Sequence, residues 1–108
     1  MKLYHATTRT IRNQFRIKGI CGFGVYFAKT KRDAKTFGDL VYMVELKPKN
    51  TLTIHDNEIK KYNFFNITQQ SFDEYRSNGF DSICWMKNGK IKEFIALDVD
   101  VIISKELI

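Results

Sequence analysis

The stretch DSICWMKNGKIKEFIAL, residues 81–97, holds the strongest short-range folding signal in the chain. Two β-rich runs, Asp81–Met86 and Ile91–Leu97, flank Lys87, Asn88, Gly89 and Lys90. An Asn-Gly pair tolerates the positive φ angles of a two-residue turn, whose twist matches the strands it joins. The stretch is therefore predicted to be a β-hairpin. Working upstream, Ser71–Ser77 reads as a helix with Phe72 and Tyr75 on one face, stopped by Gly79. Thr51–Ile54 and Leu40–Leu46 read as strands separated by a turn at Pro48 and Asn50. Between them and the helix, residues 55–66 suggest a short helix and an aromatic loop with Tyr62, Phe64 and Phe65. Thr30 is predicted to cap a helix to Phe37, closed by Gly38. Gly22 and Gly24 mark a bend before the apolar stretch Val25–Ala28. Thr7 or Thr8 is predicted to cap a helix running towards Lys18, with Ile11, Phe15 and Ile17 inward and Gly19 ending it. Lys2–Tyr4 reads as a short strand, and Val99–Ile103 as a strand closing the sheet. The pattern is α+β: mainly antiparallel strands with two or three short helices.

A chain of 108 residues accommodates one domain, spanning 1–108, and 44% apolar residues suffice for one core. Cys21 and Cys84 lack CxxC spacing and a nearby histidine pair, so no metal site is expected. They fit small buried apolar residues, with a disulfide as the alternative. No apolar run reaches the length of a membrane span, and the N-terminus has no signal-peptide pattern. A cytoplasmic protein with no membrane partner is expected. The net charge is +6, unevenly spread. Residues 1–54 hold eleven Lys/Arg against three Asp/Glu, and residues 55–108 seven against nine. A basic half suits a polyanion such as a dinucleotide, a nucleic acid or an acidic protein face; a solvated surface is the plainer reading.

Three segments carry candidate chemistry. Leu3-Tyr4-His5-Ala6-Thr7 puts a histidine at the end of the first strand. Gly22-Phe23-Gly24-Val25-Tyr26-Phe27-Ala28 is followed by Ala34 and Phe37. Lys92-Glu93-Phe94-Ile95-Ala96-Leu97 puts a glutamate on a late strand. In this order the three resemble the ADP-ribosyltransferase superfamily, in the histidine–tyrosine–glutamate branch of poly(ADP-ribose) polymerases and diphtheria toxin. His5-Ala6 matches that branch's histidine and small residue. Gly22 to Ala28 matches every fixed position of its G-x-G-x-Y-F-A stretch. Phe37 lies where the branch has a nicotinamide-stacking aromatic, and Glu93-Phe94 matches its catalytic glutamate.

The resemblance implies one compact domain with two small, mainly antiparallel sheets, and NAD⁺ as co-substrate. It implies catalytic roles for His5, Tyr26 and Glu93, and an NAD⁺ site including Ala6, Thr7, Gly22, Gly24, Phe27 and Phe37. It points to a small bacterial or phage mono-ADP-ribosyltransferase acting on a macromolecular acceptor, protein or nucleic acid. Three departures stand out: Ala6 replaces the usual Gly, Ala34 replaces a Ser, and Ile91 rules against the arginine-modifying E/Q-x-E pair.

The chemistry also stands without the family. Cleavage of the nicotinamide–ribose bond passes through an oxocarbenium-like state, which a carboxylate such as Glu93 stabilises. Tyr26 and Phe37 offer flat faces to nicotinamide. His5 can hydrogen-bond a ribose, and glycines at 22 and 24 permit close backbone approach. Arg12 and Arg16, with Arg9, lie near enough in sequence to meet the pyrophosphate. Taken singly, each residue is more simply a strand-end histidine, a core aromatic, a surface glutamate or a turn glycine. A transferase-like module binding ADP-ribose or nucleic acid without turnover is the alternative function.

Overall fold

In the computed structural model, which describes residues 1–11, 15–19, 22–64 and 66–108, two sheets and a helical layer stack on each other. Strand β1 (Lys2–Thr7) pairs antiparallel with β5 (Leu40–Leu46), and β5 with β9 (Ile102–Leu107), giving a three-stranded sheet. A four-stranded sheet runs β4 (Val25–Phe27), β8 (Lys90–Ala96), β7 (Ser82–Lys87), β6 (Thr51–His55). A two-residue pairing of β2 (Lys18–Gly19) with β3 (Gly22–Phe23) precedes β4. The expected α+β class, with two mostly antiparallel sheets and short helices, is what the chain forms.

The predicted hairpin is β7–β8, with Asn88 at φ 53° and Gly89 at φ 74° in its turn. Burial then explains which strand lies in the middle. Phe94, Ile95, Ala96 and Leu97 are all buried, a continuous run rather than an alternation, because β8 is covered on both faces. One face shares a core with the three-stranded sheet: Leu3, Val44 and Leu46 meet Phe27, Phe94 and Ala96. The other face gathers Ile54, Phe64, Ile67, Ile83, Ile95 and Leu97. Helix α2 (Gln69–Ser77) covers that second face with Phe72 and Tyr75, capped by Thr68 Oγ1 accepting from Ser71 N–H. Cys84 is free and buried, where burial pushes its thiol pKa up; Cys21 lies outside the described residues.

Three features depart from the sequence reading or go beyond it. The helix expected from Thr7 or Thr8 towards Lys18 is not present among the described residues: β1 continues through Thr7, residues 15–17 are irregular, and Lys18 begins β2. Phe15 is nonetheless buried as expected, and Ile11 N–H donates to the Tyr42 hydroxyl at 2.8 Å. Ile11 and Phe15 thus meet the core from residues outside any described helix. Second, β6 pairs parallel with β7, through a crossover that holds a 3₁₀ segment (Asp56–Lys61) and α2. Third, Val99–Val101 is a 3₁₀ turn, and the closing strand starts at Ile102 on the three-stranded sheet. No helix among the described residues is long and apolar enough to cross a membrane.

Candidate active site

The cavity of interest opens where two strands part. β4 pairs with β8 from Val25↔Ala96 to Phe27↔Phe94. One residue further, the same register sets Ala28 opposite Glu93. Ala28 instead exchanges both backbone hydrogen bonds with Tyr4 of β1, at 2.8 and 2.9 Å. The strand therefore crosses from one sheet to the other, and the edge of β8 beside Glu93 is left open. A cavity of about 350 Å³ occupies the gap, lined by Ala28, Asp33, Thr36, Phe37, Trp85, Lys92 and Glu93. That volume falls within the range of small-molecule sites.

Its far wall is a short helical element. Thr30 Oγ1 accepts from Asp33 N–H at 3.1 Å and starts helix α1 (Lys31–Ala34), as the sequence predicts. A 3₁₀ turn (Lys35–Phe37) follows. It ends against β1: a Cβ at Gly38 would lie 2.5 Å from the Thr7 carbonyl carbon. This close docking fixes the residue before it, Phe37, whose ring is 71% exposed. Phe37 thus presents an exposed aromatic ring at the edge of the cavity.

Glu93 faces Phe37's element across this cavity. Burial pushes its carboxyl pKa up to about 7, opposed by the neighbouring Lys92. No hydrogen bond among the described residues satisfies that carboxyl. Trp85 pairs directly with Glu93 across β7–β8, and its indole N–H donates to Asp56 Oδ1 at 3.1 Å. The cavity thus combines two aromatic rings, a half-buried carboxyl, the Thr36 hydroxyl and the Asp33 carboxylate.

The other sequence candidates are distributed around it. His5 Nδ1 bonds the Tyr26 carbonyl at 2.7 Å. A carbonyl only accepts, so Nδ1 carries the proton and Nε2 keeps a free lone pair. Burial lowers the His5 pKa, and the bond to Tyr26 opposes that. Its ring meets Phe15 and Phe27 at 5.0 and 5.7 Å between centroids. Phe27 is 1% exposed, so its side chain is core. Tyr26 packs on the opposite face of the sheet, and its hydroxyl donates to the Phe64 carbonyl. Neither His5 nor Tyr26 lines the Glu93 cavity.

Ala6 is better placed than its side chain suggests. Tyr4 directs both backbone groups at Ala28, away from β5. In an antiparallel ladder this alternates, so Ala6, two residues on, also turns its N–H and C=O to that open edge. Thr7 instead pairs with Leu40, and its hydroxyl accepts from Arg9 N–H. Gly22 and Gly24 both adopt positive φ and face protein: Asn66 and Ile67 at Gly22, the Ile95 side chain at Gly24. Arg16 is exposed and does not line the cavity. Arg12 lies outside the described residues. Sequence reasoning missed Trp85, Asp33, Thr36 and Lys92 as lining residues. No group of three or more His, Cys, Asp or Glu among the described residues is arranged to hold a metal.

A scan against protein-family models finds no match, and a search of curated proteins finds none either. Among solved structures, the chain is similar to one described as the crystal structure of an anti-CRISPR protein. The similarity has a TM-score of 0.62, covers all of this chain and 95% of that one, and has 14% sequence identity. At that identity the likeness is one of fold.

Proposed function

We propose that this chain is an NAD⁺-dependent mono-ADP-ribosyltransferase that modifies a macromolecular target. One observation carries the reading: Glu93, a half-buried carboxyl without a hydrogen-bond partner among the described residues, shares a cavity with the exposed ring of Phe37. The nicotinamide ring of NAD⁺ is cationic and flat. An aromatic face together with nearby carboxylates suits such a ring. As the bond to ribose breaks, positive charge moves onto the sugar, where the ionised Glu93 stabilises it. The outward-turned Ala6 N–H and C=O provide the complementary pair for a carboxamide. The fold likeness to an anti-CRISPR protein supports, by analogy, a phage-encoded inhibitor acting in the cytoplasm of an infected cell.

The test is incubation with NAD⁺ and measurement of free nicotinamide. Sustained release is expected, because water replaces the acceptor at a low rate. No release even at stoichiometric enzyme, with ADP-ribose still bound, would favour a non-catalytic ADP-ribose module. One feature favours that second reading: His5 Nδ1 and the Tyr26 hydroxyl are both engaged with main-chain oxygens.

Phe37→Leu separates a ligand platform from a packing residue. Loss of the flat face should weaken NAD⁺ binding by about 1 kcal/mol, roughly fivefold in Kd. Because the ring is 71% exposed, thermal stability should hardly change. Calorimetric NAD⁺ titration and a melting curve check the two halves. A large fall in melting temperature with unchanged Kd would make Phe37 structural.

A further inference from the structure

Two basic shoulders flank the Glu93 cavity. The segment that supplies Asp33, Thr36 and Phe37 also carries Lys29, Lys31, Arg32 and Lys35, all exposed. The hairpin that supplies Trp85 and Glu93 carries exposed Lys87 and Lys90 at its tip and Lys92 on the rim. None of these cations has an ion-pair partner among the described residues. Of the nearby acids, Glu93 is half-buried in the cavity, while Asp33 and Asp39 are exposed on the first shoulder and leave its four cations in excess. Like charges clustered on both sides of a cleft raise a positive potential that attracts a polyanion. A single NAD⁺ pyrophosphate cannot meet cations spread over both shoulders.

We propose that this rim binds single-stranded nucleic acid and that a base held over the cavity is the acceptor of ADP-ribose. This rests on the transferase reading above. Two features favour nucleic acid over an acidic protein face, and a third favours a single strand over a duplex. All but Arg32 are lysines, which are depleted at protein–protein interfaces yet serve well as point charges for a phosphate backbone. The exposed ring of Phe37 and the indole of Trp85 offer stacking faces beside the cations, the pairing typical of single-strand sites. Glu93 is recessed, so a base inside a duplex cannot reach it without leaving the stack. In the transfer, the lone pair of a base nitrogen forms the new bond to the anomeric ribose carbon. The ribose–nicotinamide bond breaks, and its electron pair leaves with neutral nicotinamide. The proton lost by the base nitrogen passes to the Glu93 carboxylate and then to water.

The test uses a fluorescein-labelled single-stranded oligonucleotide, read by anisotropy without NAD⁺. Wild type should bind with a log–log salt slope of about −3 or steeper. Charge reversal at Lys31, Arg32, Lys87 and Lys90, none of which lines the cavity, should weaken binding on the order of 100-fold. Nicotinamide release from NAD⁺ alone should be unchanged in that variant. A parallel Lys→Gln and Arg→Gln set, which adds no negative charge, should weaken binding less but in the same direction. With labelled NAD⁺, the label should appear on the oligonucleotide. Wild type binding no tighter than the reversed variant would overturn the rim assignment, as would preference for polyglutamate. Nicotinamide release with no label on bound oligonucleotide would overturn the acceptor assignment. Complete absence of release would strike the transferase reading itself, while the anisotropy still decides the rim.

Discussion

Glu93→Gln is expected to cut ADP-ribosyl transfer by roughly 100-fold or more while NAD⁺ affinity and fold persist. The amide keeps the shape and can still hydrogen-bond, but it carries no charge. The charge it would stabilise develops only in the transition state, so its loss acts on rate more than on ground-state binding. The comparison is single-turnover transfer against equilibrium NAD⁺ binding. Near wild-type transfer would remove Glu93 from the mechanism and leave the cavity without its one obvious catalytic group.

The same carboxyl predicts two pH effects. Its folded-state pKa is about 7, and the proposed mechanism uses the ionised form. The wild-type rate should therefore rise as pH increases through about 7. Stability should move the opposite way. A carboxyl whose pKa is raised from an ordinary 4.5 binds its proton more tightly in the folded state. Its stabilising contribution is complete below about 4.5 and is lost as pH climbs to about 7. Glu93→Gln should thus melt above wild type in mild alkali and match it in acid. Melting curves that stay parallel across this window would show that the carboxyl is solvated rather than desolvated.

The parts of the fold readable from sequence are those held by local signals. The Asn88-Gly89 turn, the Thr30 cap and the β-formers of Leu40–Leu46 each specify an element through neighbours in the chain. What could not be read depends on distant contacts. Ile11 and Phe15 have helical spacing, yet β1 runs through the candidate cap Thr7, and Ile11 N–H finds Tyr42 instead of a helical carbonyl. The parallel partnership of β6 with β7 leaves no local trace. The candidate site shows the same division. Glu93 and Phe37 were legible because the motifs place them, but Trp85 was not. Counting back from a two-residue turn pairs Trp85 with Lys92, on the wrong face. The register shift between Trp85 and Met86 moves it opposite Glu93 instead. A bulge beside a site re-aims a side chain in this way, and here it closes the cavity wall.

Gly22→Ala should be among the most destabilising small substitutions in the chain, and for a structural reason. Gly22 has φ +96°, a region that residues with a Cβ rarely adopt. An added Cβ would lie 2.6 Å from the Ile67 carbonyl oxygen and 2.5 Å from Asn66 Oδ1. The Asn66 side chain can rotate away; the Ile67 backbone is held, because its carbonyl accepts from Phe23 N–H at 3.0 Å. Backbone strain costs of order 1–3 kcal/mol, and overpacking adds about 1–3 kcal/mol. A total on the order of 3 kcal/mol lowers the melting temperature of a domain this size by roughly 12–24 °C. Asn66 and Ile67 would be displaced, which disturbs the nearby Phe64 carbonyl that accepts from Tyr26. The rival explanation is that Gly22 is glycine so that NAD⁺ can approach its backbone. That account predicts a Gly22→Ala variant that melts like wild type and has lost NAD⁺ affinity. The contacts at Gly22 predict the reverse: a large fall in melting temperature, with NAD⁺ affinity at low temperature largely retained in the fraction that stays folded.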